Sequence, residues 1–270
     1  MPNDNDAIVV KNPWSKLRQY TPARIALGRS GTSLPTKPHL EFQLAHARAR
    51  NAVHRQLNIP ALREAVQSRG HDAVVLHSAA GSRPEYLQRP DKGRRLDQES
   101  LADLKRISPQ TQPFDVVFVI GDGLSALAIE QNATAFLDAL LPSLKGEAWR
   151  VAPLIIVRQA RVAVGDEVGE VLGAGMVVVL IGERPGLSSP DSLGIYMTLK
   201  PRVGLTDESR NCISNVRAGG LSYEHAAHKL LYLMNEARKR GHSGVRLKDE
   251  AEALTQAVRA PGKNFLIDRD

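Results

Sequence analysis

The sequence predicts an α/β fold: a Rossmann-like parallel sheet flanked by helices, preceded by a smaller, mainly helical N-terminal region. Three observations carry this expectation. Four short runs of aliphatic and β-branched residues, at 73–76, 114–120, 151–157 and 176–181, are continuous rather than alternating, as in strands buried on both faces. Stretches of helical character separate the later runs, and strand–helix–strand alternation implies parallel pairing with right-handed crossovers. Before residue 73 the apolar residues recur at helical spacing. The boundary is placed near residue 95, giving an N-terminal region of residues 1–95 and an α/β domain of residues 96–270.

Each element follows from a local signal. Phe42, Ala45, Ala49, Ala52 and Val53 share one face of a helix beginning after Pro38, with Arg48, Arg50 and Arg55 elsewhere around it. Ile59-Pro60-Ala61 opens a second helix, because proline is already shaped for the first helical position and has no amide to leave unpaired there. Gly70 ends it. Further helices are expected at 98–107, 125–144 and 165–172, and residues 193–199 add one more strand. Ser222 is a good N-cap for a final helix with Tyr223, Ala226, Leu230, Leu233, Met234 and Ala237 along one stripe.

Composition excludes several classes of function. At 270 residues, 42% hydrophobic and 24% charged, the chain can bury a sizeable core in one large or two small domains. Only 4% of residues are aromatic, which leaves few stacking platforms for single-stranded nucleic acid. Lys and Arg exceed Asp and Glu by 36 − 29 = 7, but the excess is spread along the chain. Its densest patches, 48–55 and 89–95, are not interleaved with aromatics, so no nucleic-acid partner is expected. No apolar run approaches the roughly 20 residues that cross a bilayer, so no membrane partner is expected either. The start, at residues 1–6, lacks the basic-then-apolar pattern of a secretory signal. A single cysteine, Cys212, excludes an internal disulfide and fits a reducing cytoplasm.

The sharpest local signal is Gly121-Asp122-Gly123-Leu124-Ser125-Ala126, a tight turn from a strand into a helix. It satisfies the relaxed dinucleotide fingerprint. However, the next strand ends Ile156-Val157-Arg158, without the acidic residue that would hold a ribose. A tight turn with Asp122 as its cap explains the motif equally well. A second loop, residues 182–192 (GERPGLSSPDS), follows the strand at 176–181, where open α/β sheets bind ligands, and Glu183 is its first acidic side chain. A turn closed by an Arg184 ion pair is the alternative. Cys212 has no base near it in the sequence, so a packed thiol or a passive ligand contact is the better reading than a nucleophile. His225 and His228 lie three apart on a helix, but no third ligand is specified and no metal site is assigned. The turn at 89–95 (RPDKGRR) suits a phosphate or an ordinary polar turn. No catalytic residue is assigned.

Taken together, these segments resemble the light chain of adenosylcobalamin-dependent ethanolamine ammonia-lyase. The matching stretches are residues 21–31 (TPARIALGRSG), 86–96 (YLQRPDKGRRL), 121–125 (GDGLS), 165–170 (GDEVGE), 182–186 (GERPG) and 212–215 (CISN). The resemblance implies a non-catalytic small subunit in a symmetric hetero-oligomer. The large partner, a TIM barrel, converts ethanolamine to acetaldehyde and ammonia by radical chemistry, and adenosylcobalamin is buried between the two chains. It also implies cofactor contacts at Val162 in Gln159-Ala160-Arg161-Val162, at Glu183 and at Cys212. Val162 would offer an apolar wall, Glu183 an acceptor for amide or ribose groups, and Cys212 a small polarisable contact. The Asp-x-His-x-x-Gly pattern that supplies a cobalt-ligating histidine in other cobalamin enzymes is missing: the nearest match, His77, has Val75 and Ala80 at the other two positions. The setting implied is the cytoplasm, within a bacterial microcompartment where family members carry a longer N-terminal extension. Here the match starts at Thr21. The rival readings are an NAD-binding Rossmann-type oxidoreductase and a non-enzymatic interaction module.

Overall fold

A computed structural model describes residues 8–108 and 112–251. The start at residues 1–6, read above for a secretory signal, lies outside the described residues. Six strands form one sheet: β1 (Ala73–His77), β2 (Val116–Gly121), β3 (Leu154–Arg158), β4 (Met176–Gly182), β5 (Leu193–Leu199) and β6 (Arg210–Val216). Their order across the sheet is β1-β3-β2-β4-β5-β6. The first four in that order are parallel.

The expectation of an all-parallel sheet needs correction, because β4 pairs antiparallel with β5, and β5 antiparallel with β6. Linker length explains the change. A parallel return needs a crossover of roughly a dozen residues or more, usually a helix. Only residues 183–192 join β4 to β5, and residues 200–209 join β5 to β6. Both therefore turn back on themselves. The sheet also draws on both sides of residue 95, since β1 pairs along its whole length with β3.

The helices are α1 (Thr36–His54), α2 (Ile59–Gln67), α3 (Arg83–Gln88), α4 (Gln98–Arg106), α5 (Ala126–Gly146), α6 (Val164–Val171) and α7 (Tyr223–Arg240). Alternate strand residues face opposite ways. On one face Phe118, Ile156 and Val178 pack with Phe136 and Leu140 of α5, Leu230 and Met234 of α7, and Leu62 and Val66 of α2. On the other, Val119, Ile155 and Val177 pack with Leu104 of α4 and with Val164 and Val168 of α6. This second cover stops short of the antiparallel edge: on that face of β5 and β6, Cys212 and Ser214 are exposed and Tyr196 is half-buried.

Local signals account for most boundaries. Asn58 caps α2 by accepting from the Ala61 amide at 3.2 Å, and Gly70 adopts a left-handed conformation (φ 77°) just past the helix. Ser222 caps α7. The first helix starts at Thr36, before Pro38, which its first turn tolerates because amides there have no intrahelical acceptor. Its expected apolar stripe is buried only at Ala49 and Ala52, while Phe42 is exposed. Exposed large apolar side chains are in fact concentrated early in the chain: Ile8, Trp14, Leu34, Leu40, Phe42 and Leu44 are among them, and only Val203 and Val245 lie beyond residue 44 among the described residues.

Candidate functional site

The carboxyl ends of β2, β3 and β4 converge on a cavity of about 380 Å³. Gly123 and Leu124 come from the loop after β2, Arg161 and Val162 from the loop after β3, and Glu183 and Arg184 from the loop after β4. Tyr196 of β5 and Ser214 of β6 extend the wall along the antiparallel edge, where no helix covers the sheet. Two of the three expected site residues, Val162 and Glu183, therefore line one cavity. The third, Cys212, is the cross-strand partner of Tyr196 and sits beside it.

Glu183 is tightly held. Its carboxylate accepts from the Ser192 and Ser214 hydroxyls and from the Asn215 amide at 3.4 Å. Gly194 makes room for it, since a Cβ there would lie 3.0 Å from Glu183 Oε1 and 3.1 Å from the Tyr196 ring. The Arg184 ion pair considered above is not formed among the described residues. Instead Arg24 donates to the Ser188 hydroxyl and the Leu187 carbonyl, both at 3.3 Å.

Cys212 is exposed as a residue, yet partial removal of its sulfur from water, with the negative charge of Glu183 nearby, pushes the thiol above its usual range. The Tyr196 hydroxyl donates to it and opposes that shift. Burial likewise raises the Tyr196 phenol. Near neutral pH Cys212 is therefore a thiol rather than a thiolate. Iodoacetamide should alkylate it more slowly at pH 8 than a free cysteine, with a rate still climbing above pH 9; a rate that levels off below pH 8 would contradict this.

Beneath the cavity lies a buried polar cluster. The Asp122 carboxylate accepts from the Ala160 amide at 2.9 Å and pairs with Arg83 at 3.3 Å, and both side chains are about 5% exposed or less. Burial pushes the Asp122 carboxyl up, and Arg83 opposes that shift. Asp122 does not cap α5, a correction to the sequence reading: Ser125 does, accepting from the Ala128 amide at 3.2 Å. The Tyr86 ring lies against two guanidinium groups, Arg83 at 4.7 Å and Arg161 at 4.2 Å from its centroid, and its hydroxyl donates to the Ala160 carbonyl at 2.9 Å.

The glycine turn after β2 serves the protein itself. Gly123 is left-handed (φ 56°), and a Cβ on it would lie 2.2 Å from the Gly182 carbonyl oxygen, which accepts from the Leu124 amide at 2.9 Å. With Asp122 also engaged by protein groups, the dinucleotide-like motif is explained by the packing of the β2 turn on β4. The basic turn at 89–95 is largely paired internally, Arg89 with Asp91, Lys92 with Glu85 and Arg95 with Glu167. No group of three or more His, Cys, Asp or Glu side chains suited to a metal occurs among the described residues. Nor is any described helix long and apolar enough to cross a membrane.

The family model for the ethanolamine ammonia-lyase light chain (EutC) matches residues 11–248. The chain belongs to this family. Among curated relatives named "Ethanolamine ammonia-lyase small subunit", the protein of Azotobacter vinelandii (strain DJ) is 58% identical over 260 residues, 95% of this chain and 96% of its own. That of Pseudomonas aeruginosa (strain UCBPP-PA14) is 56% identical over 262 residues, 96% of each chain. That of Ralstonia nicotianae is 55% identical over 269 residues, 98% of each chain.

The light-chain motifs hold more of the site than the three residues expected from them. Tyr86 opens the stretch at 86–96, Arg161 precedes Val162, and Ser214 follows Cys212 by two. Their types alone, an aromatic, a cation and a hydroxyl, suit an ordinary surface equally well. Only the fold shows that they share one cavity. Tyr196 and Gly194 lay on an expected strand whose face had no assigned role.

Proposed function

We propose that this chain is the small subunit of an adenosylcobalamin-dependent ethanolamine ammonia-lyase, and that it encloses one side of the cofactor at the interface with a large catalytic subunit. One observation carries the reading: Val162 and Glu183, from loops after two parallel strands, line the same cavity, and Cys212 sits beside it on an adjoining strand.

The residues fit the group. A corrinoid presents apolar ring edges, neutral amides, a ribose and a phosphodiester. The cavity offers Val162 as an apolar wall, Glu183 and Ser214 as acceptors, and Arg161 and Arg184 as donors. No cobalt ligand is needed from this chain if the cofactor keeps its own base. The size also fits a shared site. A cavity of about 380 Å³ suits at most a drug-sized ligand, so it takes one edge of a corrinoid and leaves the rest to another surface. When bound, the cofactor supplies the radical that starts the conversion of ethanolamine to acetaldehyde and ammonia. The chain's own part is to bind, to orient and to exclude water.

The exposed apolar residues between Ile8 and Leu44 support a protein partner, because a lone soluble chain rarely shows so concentrated a set. We assign large-subunit contacts to residues 1–95, with a TIM-barrel partner in a symmetric hetero-oligomer, and read the four parallel strands with their helices as Rossmann-like. The proposed setting is the cytoplasm or a microcompartment within it.

The purified chain alone should have no lyase activity and only weak affinity for cobalamin, whereas co-expression with the large subunit should give a red, active complex. Absorbance of the purified complex decides it; a colourless complex overturns the reading. In that complex, Glu183→Ala should weaken cobalamin binding by about 1 kcal/mol or more, the worth of a buried hydrogen bond, as measured by titration of the cofactor. Unchanged affinity would remove Glu183 from the contact surface.

A further inference from the structure

The two arginines that lie against the Tyr86 ring differ in one respect. Arg83 is buried and neutralised by Asp122. Arg161 is half-buried and forms no ion pair among the described residues, although the cavity contains a carboxylate. That carboxylate, Glu183, is occupied by two hydroxyls and a backbone amide. The Nε of Arg161 is buried without any hydrogen-bond partner, and its terminal nitrogen reaches only the Tyr86 carbonyl, at 3.3 Å.

Its seat is nonetheless built. The guanidinium lies 4.2 Å from the Tyr86 ring centroid, and the Arg161 amide donates to the Gly93 carbonyl at 2.8 Å. Gly93 has no side chain to obstruct the arginine stem: a Cβ there would stand 2.8 Å from Arg161 Cγ. A cation fixed in place, partly withdrawn from water and left without a counter-charge is costly in isolation and favourable once an anion arrives. Arginine's planar fork matches phosphate oxygens in particular.

We propose that Arg161 binds the nucleotide-loop phosphodiester of the cobalamin, with the exposed Arg184 at the cavity mouth as a second, weaker cation. The inference rests on the cofactor-enclosing role proposed above and deepens it. A corrinoid's peripheral amides are neutral, and the phosphodiester is its one fixed negative charge. It orients the cofactor with its nucleotide tail towards α3 and the loop after β3.

The test compares two corrinoids on the apo two-chain complex, by absorbance titration or equilibrium dialysis. Cyanocobalamin carries the nucleotide loop; dicyanocobinamide lacks the loop and its phosphate. The wild-type complex should prefer cyanocobalamin. Arg161→Met should weaken cyanocobalamin on the order of ten- to a hundredfold and leave dicyanocobinamide within about twofold, as expected for loss of a charge-assisted pair. Arg161→Lys, which keeps the charge and the stem over Tyr86, should fall between. Should Arg161→Met not assemble with the large subunit, the lysine variant carries the test, with a selective loss of about threefold or more. Equal losses for both corrinoids, or no loss for either, overturn the assignment while leaving cofactor enclosure intact. A wild-type complex that binds neither corrinoid overturns both.

Discussion

Gly182→Ala is expected to destabilise the chain by at least about 4 kcal/mol, and in practice to leave little folded protein. A Cβ at this position would lie 2.0 Å from the Ser125 carbonyl oxygen and 2.7 Å from the Asp122 carbonyl oxygen. Overpacking usually costs about 1–3 kcal/mol, because neighbouring side chains can change rotamer. Here the obstructing atoms are backbone, in the turn that joins β2 to α5, and no rotamer relieves them. The substitution would also strain the hydrogen bond that the Leu124 amide donates to the Gly182 carbonyl and displace Glu183, the next residue. Gly173→Ala is the control for a glycine replaced without a clash. Gly173, unlike Gly182, is left-handed (φ 59°) but has nothing within 4 Å of where a Cβ would stand, so only the conformational penalty of about 1 kcal/mol applies. Urea unfolding of the two variants measures the difference. If Gly182→Ala unfolds within about 1 kcal/mol of the wild type, the backbone of the β2–α5 turn does not obstruct a side chain at the end of β4.

The second large effect is expected from Asp122→Ala. The variant strands the Arg83 guanidinium, 5% exposed, with only the Val53 carbonyl and the Gln159 side chain as acceptors, and deprives the Ala160 amide of its acceptor. Removing one member of a buried pair typically costs about 3–5 kcal/mol, since the other charge remains desolvated. Removing both members is far milder. The double variant Asp122→Ala with Arg83→Met should therefore be more stable than Asp122→Ala alone, and a double-mutant cycle by urea unfolding reads this directly. Were the double variant the less stable of the two, the cost would lie in lost packing around Tyr86 and not in the unpaired charge.

Most of the scaffold was legible from local patterns. Continuous runs such as Val116 to Ile120 are buried on both faces, and their apolar character is sufficient to mark them as strands. β6 was not legible. Its sequence, Arg210-Asn211-Cys212-Ile213-Ser214-Asn215-Val216, holds only two β-branched residues, because one face is left uncovered and polar side chains there cost nothing. The direction of β5 is written in the length of a linker rather than in the strand. The short helix α3 did leave a readable mark that the apolar pattern obscured. Ser82 and Glu85 have capping-box spacing: the Ser82 hydroxyl accepts from the Glu85 amide at 3.4 Å, while the Glu85 carboxylate accepts from the Gly81 amide, one residue before the cap, at 2.8 Å. Of the site, Glu183 stood out by its loop beyond a strand end and Cys212 as a packed thiol or passive contact, while Val162 and the assignment of all three to one ligand came from the family resemblance. Their grouping depends on β4, β5 and β6 lying side by side, which no spacing along the chain reveals.

The antiparallel edge has a thermodynamic consequence. Tyr196, Cys212 and Ser214 stand on strands laddered to β4, with one irregularity in the β5–β6 register between Leu193 and Ile195, and Glu183 is clamped by three donors before anything binds. Few torsions remain to be frozen on this wall when a ligand settles against it. Association on this side should therefore show little loss of conformational entropy, and whatever induced ordering calorimetry detects would belong to the opposing polypeptide.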